Sequence, residues 1–323
     1  MLKKQILTLF GEHIRNVLED SEEDFEQVQE IRMRVGKPIL MKKNQGEYFL
    51  TKEGLAAAGN QEKMEQFQPI VADERDVSAV VEHACGHSSY AFESEIQKGY
   101  ITIPGGHRIG ICGRTVLESG KIKTIKHISA LNLRIAHPVT GCAGQWAPYF
   151  YQDQKPVQIL IISPPGCGKT TLLRDLILLF SNGCRFGPGV TVAVADERSE
   201  IGGTYRGVAA YDLGLRTDVL DGCPKKMGME ILLRAMAPQV MAVDEIGQED
   251  VSAMNHAVRC GCKIIATLHG EGLSDFMDKP GLKELRDAKV FDRYVVLHKK
   301  GKPGRVKEIY DGDYQVLWED TVC

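Results

Sequence analysis

Apolar and polar positions divide the chain into two kinds of pattern. In the first third they alternate. Ile31, Met33 and Val35 recur at every second position, the period of a half-buried strand. Residues 39–42 and 47–50 read as strands about Asn44-Gln45-Gly46, a turn signal. Residues 99–116 alternate on both sides of Pro104-Gly105-Gly106, which predicts a hairpin, and residues 121–125 and 129–135 predict two more strands. Helical spacing appears over 73–83, where Val77, Val80 and Val81 share a face, and over 1–10 as a short amphipathic helix. Another helix is expected to start at Asp20 or Ser21, with Glu22, Glu23 and Asp24 in its first turn, where negative charge suits the helix dipole.

The pattern changes after a turn-rich stretch, and the boundary is placed near Gly141 to Gln145. Continuous apolar runs at 159–162, 191–195, 240–243 and 263–267 predict buried strands. Helical segments at 170–180, 228–236 and 248–260 separate them. Strands alternating with helices imply a mostly parallel sheet with helices on both faces. The expected fold class is therefore α/β, with a mixed α/β domain over 1–144 and a second domain over 145–323.

A chain of 323 residues suits two domains. Its 40 basic and 43 acidic residues leave a net charge of −3, which counts against a surface built to coat nucleic acid. One basic run, Lys299, Lys300, Lys302, Arg305 and Lys307, is read as a solvated hairpin. No apolar run approaches the roughly 20 residues of a membrane span, and the first ten residues lack the features of a signal peptide. Nine cysteines without a CxxC pair fit a reduced, cytosolic chain with packed thiols. Cys85-Gly86-His87 has no partner pair to complete a zinc site.

Candidate chemistry gathers in the second domain. The run Ile159-Leu-Ile-Ile-Ser163-Pro-Pro165-Gly166-Cys167-Gly168-Lys169-Thr170-Thr171 takes a buried strand through a glycine-rich turn into a helix. That is the context of a phosphate-binding loop. Gly166 and Gly168 let successive N–H groups turn toward phosphate oxygens, and the helix start adds its positive dipole end. Lys169 would reach the β- and γ-phosphates, and the Thr170 hydroxyl would meet Mg²⁺. Ser163 stands where G-x-x-x-x-G-K-[ST] has its first glycine, a small and turn-compatible exchange. Downstream, Val240-Met-Ala-Val243-Asp244-Glu245 ends an apolar strand in two carboxylates. Asp244 suits the Mg²⁺ shell through water, and Glu245 suits polarisation of an attacking water. Asp196-Glu197-Arg198-Ser199-Glu200 and Thr267-Leu268-His269 close two further strands. The second is read as a sensor of the γ-phosphate. Arg234 is either a phosphate contact or a surface ion-pair partner. No Asn-Lys-x-Asp guanine motif occurs, which favours ATP over GTP.

The order of these motifs, with Leu233-Arg234 ahead of the Asp244-Glu245 strand, resembles the ATPase superfamily of type II and type IV secretion systems. Gly106-His107-Arg108 and Asn132-Leu133-Arg134 resemble that superfamily's two arginine strands. Longer motifs are similar to the stage III sporulation protein AA family from about residue 25 to the end. They are Glu30-Ile-Arg32-Met-Arg34-Val-Gly36-Lys-Pro38, Asp196-Glu-Arg-Ser-Glu200-Ile, Asp212-Leu-Gly-Leu-Arg216 through Asp221-Gly-Cys, and Phe291-Asp-Arg-Tyr-Val-Val-Leu297. The resemblance implies a RecA-like P-loop ATPase using ATP and Mg²⁺, ring-forming and usually hexameric. It implies a secretion-like channel between mother cell and forespore, and a motor in the mother-cell cytoplasm docked on membrane proteins of that channel. It makes Glu200 a candidate functional carboxylate, beside Glu197, and makes Arg108 and Arg134 nucleotide contacts in cis or in trans. The superfamily's arginine two residues after the Walker B glutamate is Gly247 here, so its role is not carried over. Two alternatives stay open: a RecA-like ATPase acting on nucleic acid, and a nucleotide-gated scaffold without useful turnover.

Overall fold

The computed structural model describes residues 2–21, 24–43, 46–86, 92–118, 120–137, 139–299 and 302–320. Two compact units divide the chain, Met1–His137 and Pro138–Cys323. The division falls ahead of the Gly141–Gln145 boundary expected from sequence. Its physical reason is Asp175, whose carboxylate accepts the amides of Gly141 (2.8 Å) and Ala143 (2.5 Å) and ties that stretch into the second unit.

The first unit opens with helices α1 (Leu2–Leu7) and α2 (Glu12–Asp20). Strands β1 (Val28–Arg34), β2 (Leu40–Lys43), β3 (Gly46–Thr51) and β4 (Gly54–Ala57) follow. Helix α3 (Glu74–Ala84) leads to β5 (Tyr100–Ile103), β6 (His107–Glu118) and β7 (Lys121–Arg134). These strands make one antiparallel sheet in the order β4-β3-β2-β1-β7-β6-β5. Ile31 and Met33 are buried while Arg32 and Arg34 take the other face, as alternation requires. A capping box fixes the start of α3: Asp73 Oδ1 accepts the Asp76 amide and Asp76 Oδ2 accepts the Asp73 amide, both at 2.9 Å.

Two expectations change here. No helix starts at Asp20 or Ser21; α2 ends there. Ile14 and Leu18 are its buried face, and Lys3 Nζ closes its C-terminal end by donating to Glu19 O (3.0 Å) and Ser21 O (2.6 Å). Asp24 instead caps a single 3₁₀ turn, Phe25–Gln27, while Glu22 and Glu23 lie outside the described residues. The segments 121–125 and 129–135 are one strand, β7. It runs through an irregularity where His127 has φ +47° and the facing Gly113 has no room for a Cβ, which would meet Lys126 O at 2.7 Å.

In the second unit, β8 (Ile159–Ser163) runs into α4 (Lys169–Asn182), followed by β9 (Val192–Asp196) and β10 (Thr217–Asp221). Helix α5 (Lys225–Met236), β11 (Val240–Val243), α6 (Val251–Arg259) and β12 (Lys263–His269) come next. The chain ends with β13 (Arg293–Leu297), β14 (Val306–Asp311) and β15 (Val316–Glu319). The sheet order is β10-β9-β11-β12-β8-β13-β14-β15. Strands β10 through β13 in that order pair in parallel, and β14 and β15 add antiparallel edges. Ile159, Ile161, Val192 and Val240 pack with Leu172, Leu176 and Phe180 of α4. The alternate residues Leu160, Ile162, Ala193 and Met241 pack with Met229 and Leu232 of α5 and Met254 of α6. β8, β9 and β11 are therefore apolar on both sides, and helices cover both faces. In such sheets ligands bind outside the carboxyl ends of the strands. Among the described residues no helix is long and apolar enough to cross a membrane.

Candidate nucleotide site

The carboxyl ends of β8, β9, β11 and β12 carry the chemistry. Ser163 is the last residue of β8 and keeps extended backbone, so no glycine is needed there. The positive φ values fall at Gly166 (+76°) and Gly168 (+93°), where the loop turns into α4. Gly168 precedes α4 and supplies no side-chain hydrogen bond, so the first-turn N–H groups have no side-chain cap. Gly168 is also crowded: a Cβ there would stand 2.2 Å from Gly304 N, and Gly304 N donates to Cys167 O (2.9 Å). The turn between β13 and β14 thus braces the loop that leads into α4. The expected solvated hairpin is a wall of the site at this point. Its charges are largely paired, Lys299 with Glu271, Arg305 with Asp320 and Lys307 with Glu308, while Lys300 lies outside the described residues.

Lys169 opens α4 with a buried side chain, its Nζ 3.4 Å from Glu245 Oε1. Beside it, Thr170 Oγ1 donates to Asp244 Oδ2 (2.8 Å), with Thr171 next on the helix. Asp244 Oδ1 accepts the Thr267 hydroxyl and the Glu245 amide. The Glu245 amide also donates to Thr267 Oγ1 (2.8 Å). Thr267 is fully buried, so it braces the two acidic residues, and the γ-phosphate sensor role read from sequence does not suit it. His269, at the exposed end of β12, is the register partner of Ser163 and so borders the loop that carries Pro165 and Cys167.

Glu245 has φ +48°, the left-handed region. Its carboxylate also faces Arg198 (3.5 Å), and its carbonyl accepts Lys225 Nζ (2.5 Å). Asp196 is buried and accepts the amides of Glu200 (2.9 Å), Ile201 (3.0 Å) and Gly202 (2.8 Å). Burial pushes its carboxyl up, against the pull of those three amides. Asp196 therefore folds the loop that presents Glu197, Arg198 and Glu200. Those three residues, with Lys225, Asp244 and Glu245, line a cavity of about 230 Å³. Arg234 is exposed on α5 and donates to Glu230 O (3.2 Å) on its own helix, apart from that cavity.

The first unit brings the other two predicted arginines together. Arg108 and Arg134 are register partners on β6 and β7 and line a cavity of about 420 Å³ with Arg32, Arg34 and Tyr100. Arg108 lies over the Tyr100 ring, 4.7 Å from its centroid. Glu30 pairs with Arg32 (2.7 Å) and Arg134 (3.9 Å). Burial acts to raise the Glu30 carboxyl, but the Arg32 hydrogen bond and the surrounding cations hold it below the usual range. Cys85 is buried, and His87 lies outside the described residues.

Sequence reasoning missed Lys225, the bracing role of Thr267 and the Gly304 turn. The family model described as "Sporulation stage III, protein AA" matches residues 1–317. The chain belongs to that family. Stage III sporulation protein AA of Bacillus subtilis (strain 168) is 39% identical over 320 residues, covering 98% of each chain. The structure is also similar to the ATPase DotB of Legionella pneumophila, with TM-score 0.55 and 15% identity over 93% of this chain and 81% of that one. The ATPase DotB of Yersinia pseudotuberculosis gives TM-score 0.54 and 12% identity over 89% and 76%. At these identities the likeness is one of fold: a mixed α/β chain with large sheets, similar to ATPases.

Proposed function

We propose that this family member is a Mg²⁺-dependent ATP hydrolase with a RecA-like motor domain, serving a secretion-like channel during endospore formation. The observation that carries the reading is the chain Thr170–Asp244–Thr267 beside the Lys169–Glu245 pair, at the mouth of a loop with an uncapped helix behind it.

The donor set fits Mg²⁺. A hydroxyl that gives its proton to Asp244 keeps its lone pairs for a hard cation, and a carboxylate completes an oxygen-only shell through water. When bound, Mg²⁺ would neutralise charge on the transferring phosphoryl group. The chain's own residues do the rest. The amides from Gly166 to Thr171 cradle the β- and γ-phosphates. Lys169 leaves Glu245 for the phosphates, because a triphosphate carries more charge than one carboxylate. Glu245, released from that pair, accepts a proton from the attacking water. Such general-base assistance contributes about 10²- to 10⁴-fold. Glu197, Glu200 and His269 surround the reacting end, and Arg108 and Arg134 are further phosphate contacts in cis or in trans.

The motor domain is read as the second unit, Pro138–Cys323, and the mixed α/β domain as the first, Met1–His137. A hexameric ring, docking on membrane proteins of the channel, and a mother-cell cytoplasmic location belong to the same proposal. The net charge of −3 and the ion pairs of Lys299, Arg305 and Lys307 speak against nucleic acid as the substrate. The test is ATP turnover by the purified chain with Mg²⁺. Lys169→Ala should abolish it, and hydrolysis at the wild-type rate in that variant refutes the assignment of the loop. Light scattering with and without ATP tests the ring.

A further inference from the structure

We propose that Lys225 is a positioning residue for hydrolysis, holding the main chain at Glu245 in the conformation that aims its carboxylate into the mouth of the phosphate loop. The proposal rests on the reading of Glu245 as the group that polarises water. Lys225 opens α5, and its side chain is only 13% exposed. Its ammonium donates to Glu245 O (2.5 Å) and lies 3.4 Å from Asp250 Oδ2 and 4.0 Å from Glu197 Oε2.

Three features converge on this lysine. First, Glu245 sits at φ +48°, a region a non-glycine residue holds only where its surroundings impose it. The peptide on its N-terminal side is pinned by Thr267 Oγ1 and Asp244 Oδ1, and the peptide on its C-terminal side by Lys225. With both fixed, the side chain is directed toward Lys169 (3.4 Å) and Arg198 (3.5 Å). Second, Asp250 is 1% exposed and accepts the Gly247 amide (2.9 Å). Lys225 therefore neutralises a buried carboxylate and grips the Glu245–Gly247 turn at both ends, by the Glu245 carbonyl and through Asp250 by the Gly247 amide. Third, a cation in the first turn of a helix opposes the helix dipole, so local preference does not account for it. The contacts of Lys225 are to Glu245, Asp250 and Glu197, and its role in this proposal runs through Glu245.

The test measures ATP turnover in Lys225→Met and Lys225→Arg, each in the wild-type and the Glu245→Gln background. Lys225→Met should lower kcat by about 10- to 100-fold with KM for ATP within about 2-fold, the signature of an interaction made in the transition state. Lys225→Arg, which keeps charge and donors, should recover most of the loss. Residues acting as a unit are non-additive, so in the Glu245→Gln background Lys225→Met should cost less than about 2-fold more. Amide exchange at Glu245 to Gly247, readable without turnover, should quicken by about 10-fold or more in Lys225→Met and stay slow in Lys225→Arg. Where Lys225→Met alone fails to fold, Lys225→Met with Asp250→Asn removes the unpaired buried charge and serves in its place. Unchanged kcat, unchanged exchange, or an equal loss in both backgrounds overturns the proposal. Wild-type turnover in Glu245→Gln alone overturns the reading beneath it.

Discussion

Replacing Thr267 by valine keeps the shape of the side chain and removes one hydroxyl. That hydroxyl is fully buried and sits between the two acidic residues of the site, donating to Asp244 Oδ1 and accepting the Glu245 amide. A hydrogen bond to a charged group contributes about 1.5–3 kcal/mol, and one between neutral groups about 0.5–1.5 kcal/mol. The Glu245 amide keeps Asp244 Oδ1 as an acceptor (3.0 Å), so the loss centres on the carboxylate. Loss of about 1.5–3 kcal/mol in the transition state, at about 1.4 kcal/mol per tenfold, lowers kcat by roughly 10- to 150-fold. Asp244 would also swing more freely, and Thr170 would lose its fixed partner, so the Mg²⁺ concentration for half-maximal rate should rise.

The assay is steady-state phosphate release over a grid of ATP and Mg²⁺ concentrations, with nucleotide affinity measured separately by a fluorescent analogue. Thr267→Val should bind nucleotide within about 3-fold of wild type, because no phosphate ligand is altered, while turnover falls. Its melting temperature should drop as well, by about 2–4 °C for each kcal/mol in a unit of this size. Thr267→Ser, which restores the hydroxyl, should recover both. Full turnover in Thr267→Val at limiting Mg²⁺, or equal damage in Thr267→Ser, refutes the bracing role.

Glu245→Gln should retain nucleotide binding and lose about 10²-fold or more in hydrolysis, measured by single-turnover kinetics; a normal rate would move the base role to Glu200 or Glu197. Gly168→Ala should weaken nucleotide binding and lower the melting temperature together, since the new methyl meets Gly304 at a φ of +93°, and a variant matching wild type in both contradicts the brace. His107 predicts a pH effect in the first unit. Burial, then the neighbouring His137, lowers its pKa to about 4, and its Nδ1 accepts the Ala136 amide (2.9 Å), a bond that protonation there would break. Between pH 6.5 and about 4 the unfolded chain binds a proton that the folded chain refuses, so stability should fall as pH falls through that window. Melting curves of wild type and His107→Asn from pH 7.5 to 4.5 check this; the variant keeps an acceptor for Ala136 and should show the shallower decline.

The reach of sequence reasoning in this chain follows the range of the interactions. The loop from Ser163 to Thr171 is local: a strand, two glycines and a helix start are contiguous, and their order alone places the backbone. Asp244 and Glu245 close a four-residue apolar strand, which puts them at the sheet's carboxyl edge wherever the strand falls in the order. β10 escapes because Thr217, Asp218 and Asp221 break its apolar run, and as an edge strand it is only half-buried. The helix expected at Asp20 fails because Val28, Ile31 and Met33, the apolar residues behind its acidic start, are the buried positions of β1, while Ile14 and Leu18 supply an apolar face to the preceding segment.

The polar contacts between strand ends were the least legible. Thr267 and Asp244 are 23 residues apart and meet because β11 and β12 are neighbours, a fact of sheet order that no local pattern carries. Asp196 looked like one member of an acidic cluster, yet its three amide bonds make it the staple of a loop, and only Glu197 and Glu200 remain to act outward. Lys225 is the extreme case. From sequence it is a charged residue at a helix start, the kind that ordinarily faces water. Tertiary structure turns it inward onto a buried carboxylate and a main-chain carbonyl of the acidic pair. Motif residues mark where phosphate would sit; the residues that hold the acidic pair in place come from elsewhere, Thr267 from β12 and Lys225 from the start of α5. A variant series confined to the motif would therefore leave the geometry of hydrolysis untested.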